Sequence, residues 1–177
     1  MNKTTVLTTL ILLVAALPSH GQQRNFSAGG LFSPKACGVS LVWSRGDGFS
    51  DLRLSADLHN VLGGKTPAPG IRAEWYNDYI IHRWNAPDGV TINLYAGPGA
   101  LVGYVEDQED GRGAVAAVCG NVGFLFHFPG RITISAGFSS NLGFHLTMTD
   151  THHSRMSYYR AGLIGTAWPE VGIRYEF

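Results

Sequence analysis

The residues from Arg131 to Leu146, RITISAGFSSNLGFHL, give the clearest indication of the fold. Its even positions are mainly isoleucine, phenylalanine and leucine, and its odd positions are arginine, threonine, serine, glycine, asparagine and histidine. A period of two indicates a β-strand whose two faces meet different surroundings. The stretch has sixteen residues, which exceeds the about 9 to 11 residues that a tilted strand needs to cross a bilayer.

The same alternation recurs in four other stretches, at Leu52 to His59, Ile71 to Asp78, Val90 to Gly97 and Val118 to Phe128. A water-soluble β-sandwich also alternates, so the period alone does not distinguish the two classes. The composition of the polar face distinguishes the two classes, because this face carries glycine, serine, asparagine and tyrosine in place of the lysine and glutamate that usually face water. We therefore predict that the apolar face meets lipid and that the small polar face encloses a lumen.

The composition agrees with this prediction and excludes other classes. Charged residues make up 15% of the 177 residues, and 23 residues are glycine, whereas an ordinary soluble domain has about 25% charged residues and about 7% glycine. The formal net charge is zero, which argues against a nucleic-acid-binding protein because such a protein needs a basic face. Two cysteines are too few for a disulfide scaffold or a four-cysteine zinc site.

The N-terminal segment has the pattern of a secretory signal. An apolar run from Val6 to Leu17 is followed by the small residues Ser19 and Gly21. The run is shorter than the about 20 residues that a membrane-spanning helix needs, which argues against the alternative of an uncleaved anchor. We predict a signal peptide at residues 1–21 and a single barrel domain at residues 22–177.

The connections between the predicted strands are of two kinds. Three have the glycine, proline and aspartate chemistry of short turns: Gly46 to Gly48, Ala86 to Gly89 and Phe128 to Arg131. Three are longer and more polar: Asn60 to Gly70, Glu106 to Gly113 and Thr147 to Trp168.

Outer-membrane barrels place short turns on the periplasmic side and have an even number of strands. With a last strand at 169–177 and a short first strand around 24–32, the pattern predicts an eight-stranded antiparallel up-and-down transmembrane β-barrel. A disordered leader followed by seven strands is the alternative.

Three local features leave alternatives open. The sequence Gly97–Gly99, with Pro98 at its centre, interrupts a predicted strand and favours a β-bulge over a ligand contact. We expect the link from Thr147 to Trp168 to be a structured external loop, either a short helix or an extension of a hairpin. Cys37 and Cys119 are expected to be small packing residues, and the sequence does not decide whether they form a disulfide bond.

The last eight residues resemble the C-terminal signal by which the barrel-assembly machinery of outer membranes recognises its clients. Glu170 matches the polar position of that signal, and Gly172 matches its glycine. Tyr175 and Phe177 match its two aromatic positions. A strand with an open edge and an outward aromatic pair is able to pair with such machinery before the barrel closes. The resemblance implies that this machinery is a partner of the chain.

From about Arg24 to Phe177, the chain resembles the small eight-stranded outer-membrane β-barrel proteins of Gram-negative bacteria. The run Tyr95 to Gly99, followed by Gly103 to Val105, is similar to members from Bacteroidetes-type organisms. Most of these members have no assigned activity. The resemblance implies the fold, a location in the cell outer membrane, and contact with outer-membrane lipid and lipopolysaccharide.

The predicted lumen contains charges of both signs. Its basic members are Arg53, Arg72 and Arg174, and its acidic members are Asp57, Glu74 and Asp78. A barrel of eight strands is just wide enough for its own side chains, and buried charges need partners. We therefore predict a lumen closed by a polar side-chain network, with a narrow ion path as the alternative.

Two groups of residues suggest chemistry outside the lumen. His152, Ser154 and Glu170 resemble the residues of a family of outer-membrane lipid A deacylases, in which a histidine takes the serine proton. The surroundings of the pair differ from that family, because the pair lies in a long link. The acidic run Glu106, Asp107, Glu109 and Asp110 offers oxygen ligands to a divalent cation but lacks the spacing of a calcium loop. We expect His152 and His153 to be solvated loop histidines and the acidic run to be an ordinary solvated loop.

The sequence therefore predicts a non-enzymatic outer-membrane protein with a structural or surface-interaction role and a plugged lumen. A narrow porin and a lipid A-modifying hydrolase are the alternative functions. We expect no cofactor, no metal and no nucleic-acid partner. The sequence leaves the ligand and the oligomeric state open.

Overall fold

The computed structural model describes residues 26–58, 70–107, 111–148, 154–164 and 168–177. The predicted signal peptide lies outside these ranges. Within them, the chain forms the strands β1 Phe26–Ser33, β2 Ala36–Arg45, β3 Gly48–Asp57, β4 Gly70–Asn85, β5 Thr91–Asp107, β6 Gly111–Phe128, β7 Ile132–Met148, β8 Ser154–Tyr158 and β9 Glu170–Glu176, and the short helix α1 Arg160–Ile164. No helix in the described ranges is long and apolar enough to span a membrane.

All strands except β8 close into a barrel. Strands β1 to β7 pair with their chain neighbours in antiparallel ladders, and β9 pairs with both β7 and β1. Strand β8 adds to the far end of β7. The eight-stranded antiparallel barrel is therefore confirmed. The weakly patterned first strand is present as β1, so the alternative of seven strands is wrong.

The ladders determine the stagger of the barrel. A path of paired residues starts at Ala136 on β7, crosses β9 and then β1 to β6, and returns to β7 at Leu146. After one circuit of the wall the path has moved ten residues along β7, and this shift is the stagger of the barrel. Strand number and stagger together fix the tilt and the diameter, and eight strands enclose an interior that side chains can fill.

The barrel wall has an apolar outer face and a polar inner face. Phe124 and Ile132 keep 42% and 45% of their surface exposed on the outside. Asn121, Thr133 and Asn141, on the same strands, are buried inside. A sandwich would bury the apolar face between two sheets. The exposed fractions exclude that architecture and confirm the predicted direction of the two faces.

The two ends of the barrel differ in their connections. The turns between β2 and β3, β4 and β5, and β6 and β7 are short, and we call their side the short-turn end. The opposite side, the long-link end, carries the longer links and one exception, because Pro34 and Lys35 alone join β1 to β2. The link after β7 contains both β8 and α1, so the hairpin extension and the helix coexist.

The prediction of a β-bulge at Gly97–Gly99 is wrong. Strand β5 keeps the same register with β4 on both sides of this sequence. A Cβ on Gly97 would collide with the backbone of Asn77 and lie 2.5 Å from Asp78 Oδ1. The absence of a side chain at Gly97 therefore allows β4 and β5 to approach closely and leaves space in the lumen for the Asp78 side chain.

The bulge lies instead in β4, where the register with β5 shifts between Ile80 and His82. One extra residue in a strand reverses which of the following positions face outward. Trp84 is consequently paired with Ile92, and its ring centre lies 6.3 Å from that of Phe124 on the outer face. The bulge thus adds a tryptophan to the outer aromatic surface at the short-turn end.

We expect Gly97→Ala to destabilise the barrel by about 1–3 kcal/mol, because the added methyl group overpacks the contact with β4. Gly120→Ala is the matched control, since a Cβ at Gly120 meets nothing closer than Gly97 O at 4.0 Å. Urea unfolding in lipid vesicles, followed by heat-dependent migration in gels, measures both variants. Equal stability of the two would contradict the packing argument.

Candidate functional site

The centre of the lumen is built around Asp51 on β3. Its carboxylate accepts hydrogen bonds from Ser40 Oγ at 2.7 Å, Arg53 Nε at 2.8 Å and Arg174 Nη2 at 2.8 Å. Arg174 Nε also donates to Ser40 Oγ at 3.1 Å. Donors from β2, β3 and β9 therefore satisfy both oxygens of a fully buried carboxylate.

A second carboxylate, Glu170 on β9, extends the network. Arg53 Nη1 lies 2.8 Å from Glu170 Oε2, and Lys35 Nζ lies 2.9 Å from Glu170 Oε1. Ser139 Oγ donates to the same Oε1 at 2.6 Å. Arg53 thus connects the two carboxylates. The ion pairs join β3, β9 and the turn between β1 and β2, and the Ser139 hydrogen bond adds β7.

Arg72 on β4 forms a third group, nearer the long-link end. Its Nε lies 3.5 Å from Glu74 Oε1, and its Nη1 lies 3.9 Å from Asp57 Oδ2. The Tyr76 hydroxyl donates to Glu74 Oε2 at 3.3 Å. The guanidinium carbon of Arg53 lies 4.5 Å from the centre of the Tyr76 ring, so a cation–π contact links this group to the central network.

Asp78 lies nearer the short-turn end and has fewer partners. Asn121 Nδ2 donates to Asp78 Oδ2 at 3.2 Å. Within the described part of the chain, Asp78 Oδ1 has no hydrogen-bond partner. The side chain borders an open pocket that Phe49 and Tyr79 also line. The structure therefore brings the predicted lumen residues into the barrel interior, but Asp78 stands apart from the ion-paired groups.

An apolar cluster and α1 close the long-link end. The carboxylate of Asp107 accepts the backbone N–H groups of Arg160 at 2.9 Å and Ala161 at 3.0 Å, which fixes the start of α1. The buried Tyr159 hydroxyl lies 3.5 Å from Asp57 Oδ2. The cluster, here called the upper cluster, consists of Tyr76, Leu101, Val105, Val115, Cys119, Tyr159 and Ala161.

The structure gives no support to the catalytic hypothesis. Glu170 points into the lumen, where Arg53, Lys35 and Ser139 already bind both of its oxygens. Ser154 is exposed at the start of β8, and His152 lies outside the described residues. The carboxylate is therefore engaged by other groups and does not serve to orient an imidazole.

The acidic run and the cysteines have structural surroundings. The expectation of a solvated acidic run is wrong for Asp107, which is buried and caps α1, while Glu109 and Asp110 lie outside the described residues. No group of three histidine, cysteine, aspartate or glutamate side chains able to hold a metal occurs in the described ranges. Cys37, on the outer face, and Cys119, in the lumen, are both free thiols.

The C-terminal residues divide between the two faces of β9. Glu170 and Gly172 lie on the inner face, whereas Tyr175 and Phe177 keep 46% and 69% of their surface exposed on the outer face. The Phe177 ring centre lies 5.7 Å from that of Phe26 at the start of β1. The aromatic end of the chain therefore packs along the line where the barrel closes.

Sequence reasoning leaves three charges of the central network out of the predicted lumen: Asp51, Lys35 and Glu170, the last of which it assigns to the assembly signal. Asp51 has the same parity as Arg53, so extending the alternation of that strand by two residues would have placed it in the lumen. Lys35 lies in a turn, where a period of two assigns no direction. Its burial depends on contacts with Ser139 and Glu170, which lie on strands distant in sequence.

The chain matches no family model and no curated protein. Among solved structures, it is similar to the N-terminal beta-barrel domain of Pseudomonas aeruginosa OprF, with a TM-score of 0.50, 13% identity, and coverage of 86% of this chain and 96% of that one. A major outer membrane protein from Thermus thermophilus gives a TM-score of 0.47, 14% identity, and coverage of 88% and 100%. The likeness to the first is one of fold.

We expect Asp51→Asn to lower the free energy of unfolding by about 3–5 kcal/mol, because Arg53 and Arg174 would stay buried beside a neutral amide. Asp88→Asn, in an exposed turn, is the matched control and should change it by less than about 0.5 kcal/mol. Urea titration in vesicles measures both. Similar unfolding midpoints would show that the network does not stabilise the barrel.

Proposed function

We propose that the chain is an integral outer-membrane β-barrel protein with a structural or surface-interaction role and a lumen closed by its own side chains. The observation that carries this proposal is the two-faced wall, which is apolar outside and ion-paired inside. In a water-soluble protein the arrangement would be reversed. The signal peptide predicted at residues 1–21 supports export across the inner membrane.

The outer surface supports a position in a bilayer. Soluble monomers rarely expose a large continuous apolar surface, and a closed barrel leaves no unpaired strand edge in lipid. Exposed aromatic side chains also gather near both ends, as in the aromatic girdles of membrane barrels. They are Tyr79, Trp84, Phe124, Phe128, Tyr175 and Phe177 at the short-turn end, and Phe32, Tyr104, Phe144 and Tyr158 at the long-link end.

The proposed orientation follows from the connections. Membrane barrels of bacteria have short periplasmic turns and longer external loops. The short-turn end would then face the periplasm, and α1 and β8 would face the outside. This orientation also places the aromatic residues Tyr175 and Phe177 at the periplasmic end, where the assembly machinery would meet an unfinished strand.

The lumen contacts support a plug over an ion path. Asp51, His145 and Arg53 are 0%, 0% and 2% exposed to a water-sized sphere, so no water-wide channel passes along them. Among the buried side chains that the structure describes, six carboxylates accompany four lysine or arginine side chains. A selective pore is better served by rings of one sign of charge. Mixed charges in contact form bonds that would have to break before an ion passed.

We expect planar bilayers containing the protein to show no steady single-channel steps above those of the lipid alone. The double variant Arg53→Ala/Tyr76→Ala removes the stacked pair at the centre of the lumen. It should raise the ion leak across the bilayer, and such a leak shows that the assay detects an opened barrel. Steady steps from the unaltered protein would favour the narrow porin and overturn the plug.

We expect removal of Phe177 to reduce the amount of folded barrel in the outer-membrane fraction of a Gram-negative host severalfold, because the assembly signal loses its terminal aromatic residue. Phe128→Ala removes another exposed aromatic side chain from the same end and is the matched control. Fractionation and heat-dependent gel migration measure location and folding. Unaltered protein that stays in the periplasmic fraction would overturn the proposed location.

A further inference from the structure

A polar pair interrupts the apolar outer face of the barrel near the short-turn end. Ser50 on β3 and Asn77 on β4 alternate with lumen residues and therefore occupy outward positions. They face each other in the ladder, and Ser50 Oγ donates to Asn77 Oδ1 at 2.9 Å. Among the residues that the structure describes, none accepts a hydrogen bond from the Asn77 amide NH₂ group. Because an unpaired amide donor is costly in a bilayer, the group indicates an acceptor oxygen outside the chain.

An open pocket adjoins this pair at the rim of the barrel. Arg45, Asp47, Gly48, Asn77 and Tyr79 all border it. Gly48 pairs with Arg45 on one side and with Tyr79 on the other, so its lack of a side chain leaves the space between them open. Arg45 and Asp47 are both exposed, and within the described ranges neither charge has an ion-pair partner. The pocket therefore offers one cation and one anion that the rest of the described chain does not neutralise.

The two charges have a fixed order along the barrel. Arg45 is the last residue of β2, whereas Asp47 belongs to the turn beyond it, farther from the centre of the wall. In a phosphoethanolamine headgroup, the phosphate is attached to the lipid body and the ammonium group lies beyond it. A guanidinium binds phosphate through paired hydrogen bonds, and a carboxylate accepts the N–H groups of a primary ammonium. The order of the charges in the pocket thus matches the order in this headgroup.

An apolar depression lies on the same outer face, nearer the middle of the wall. Its floor is formed by Ala73 and Ala100, which are small. Leu52, Trp75 and Val102 stand around it and keep 41%, 50% and 59% of their surface exposed. Small residues between larger ones form a shallow channel for an alkyl chain, and such a chain would gain apolar contact on entering it.

Strand β4 connects the three features. Its successive outward residues Tyr79, Asn77, Trp75 and Ala73 border the rim pocket, the polar pair and the apolar depression in that order. Successive outward positions of a strand are about 6–7 Å apart. A phospholipid has a charged headgroup, ester-linked glycerol and an acyl chain in the same sequence. We call this continuous outer surface the β4 groove.

We propose that the β4 groove binds one bilayer phospholipid that has a primary-amine headgroup. Arg45 binds the phosphate, Asp47 accepts from the ammonium group, and the Asn77 amide donates to a phosphate or ester oxygen. One acyl chain lies over Ala73 and Ala100. The proposal rests on the proposed function for the position in a bilayer, and it deepens that function by assigning a lipid class to one place on the wall.

The experiment compares two lipids that differ only at the headgroup nitrogen. The purified protein in dodecylmaltoside micelles is mixed with dioleoylphosphatidylethanolamine or with dioleoylphosphatidylcholine, and native mass spectrometry counts the lipids retained by each barrel. Both lipids carry a phosphate and a positive nitrogen, but the choline nitrogen has no N–H to donate. Flotation of the protein with dioleoylphosphatidylcholine vesicles tests the membrane location separately.

Each charge of the pocket has a matched control at the same end of the barrel. Arg45→Gln removes the phosphate ligand, and Arg131→Gln removes an exposed arginine from the turn between β6 and β7. Asp47→Asn removes the ammonium ligand, and Asp88→Asn does the same to an exposed aspartate in the turn between β4 and β5. Neither control residue borders the pocket.

We expect the unaltered protein to retain the ethanolamine lipid roughly tenfold better than the choline lipid, because one hydrogen bond between charged groups contributes about that factor. Asp47→Asn should remove most of this preference and leave choline-lipid retention nearly unchanged. Arg45→Gln should lower retention of both lipids severalfold, and both controls should behave like the unaltered protein.

Two results would overturn the site. One is equal retention of the two lipids, or a preference for choline, by unaltered protein that floats with vesicles. The other is an Arg45→Gln variant that retains lipid as well as Arg131→Gln does. Failure of the unaltered protein to float would instead overturn the membrane location on which the proposed function depends.

Discussion

Every lumen contact depends on the narrow interior that eight strands with a stagger of ten residues enclose. Such an interior has room for side chains but little room for water, so each charge inside it needs an ion-pair or hydrogen-bond partner. Asp51 and Glu170 meet this need by binding three cations, Arg53, Arg174 and Lys35. Because these residues come from distant parts of the chain, the network also favours one arrangement of neighbouring strands.

Much of the wall follows from sequence because the direction of a side chain in a strand is a local property. Arg53 and Arg174 lie in the lumen, as the alternation of inward and outward positions along their strands predicts. Their shared partner Asp51 is harder to find, because contact between charges on separate strands depends on register and stagger. Alternation along a single strand contains no information about register or stagger. The sequence therefore predicts which residues enter the lumen better than it predicts which of them make contact there.

Other features escape the sequence for different physical reasons. Glycine permits both a bulge and a close approach of strands, so Gly97–Gly99 is ambiguous until the contact with Asn77 is known. The actual bulge between Ile80 and His82 lies in a sequence without glycine or proline. Lys35 enters the lumen from a turn, where the pattern of the strands does not apply.

The shortness of β9 has a consequence for how the barrel would come apart. It pairs through six residues with β1 and six with β7, whereas β5 and β6 share seventeen pairs. The closing strand is therefore the weakest line of the cylinder, yet it carries Glu170 and Arg174. Its detachment would leave Lys35 without the Glu170 carboxylate and would remove one ion-pair partner each from Asp51 and Arg53, so rupture of the seam and collapse of the interior should occur as one cooperative event.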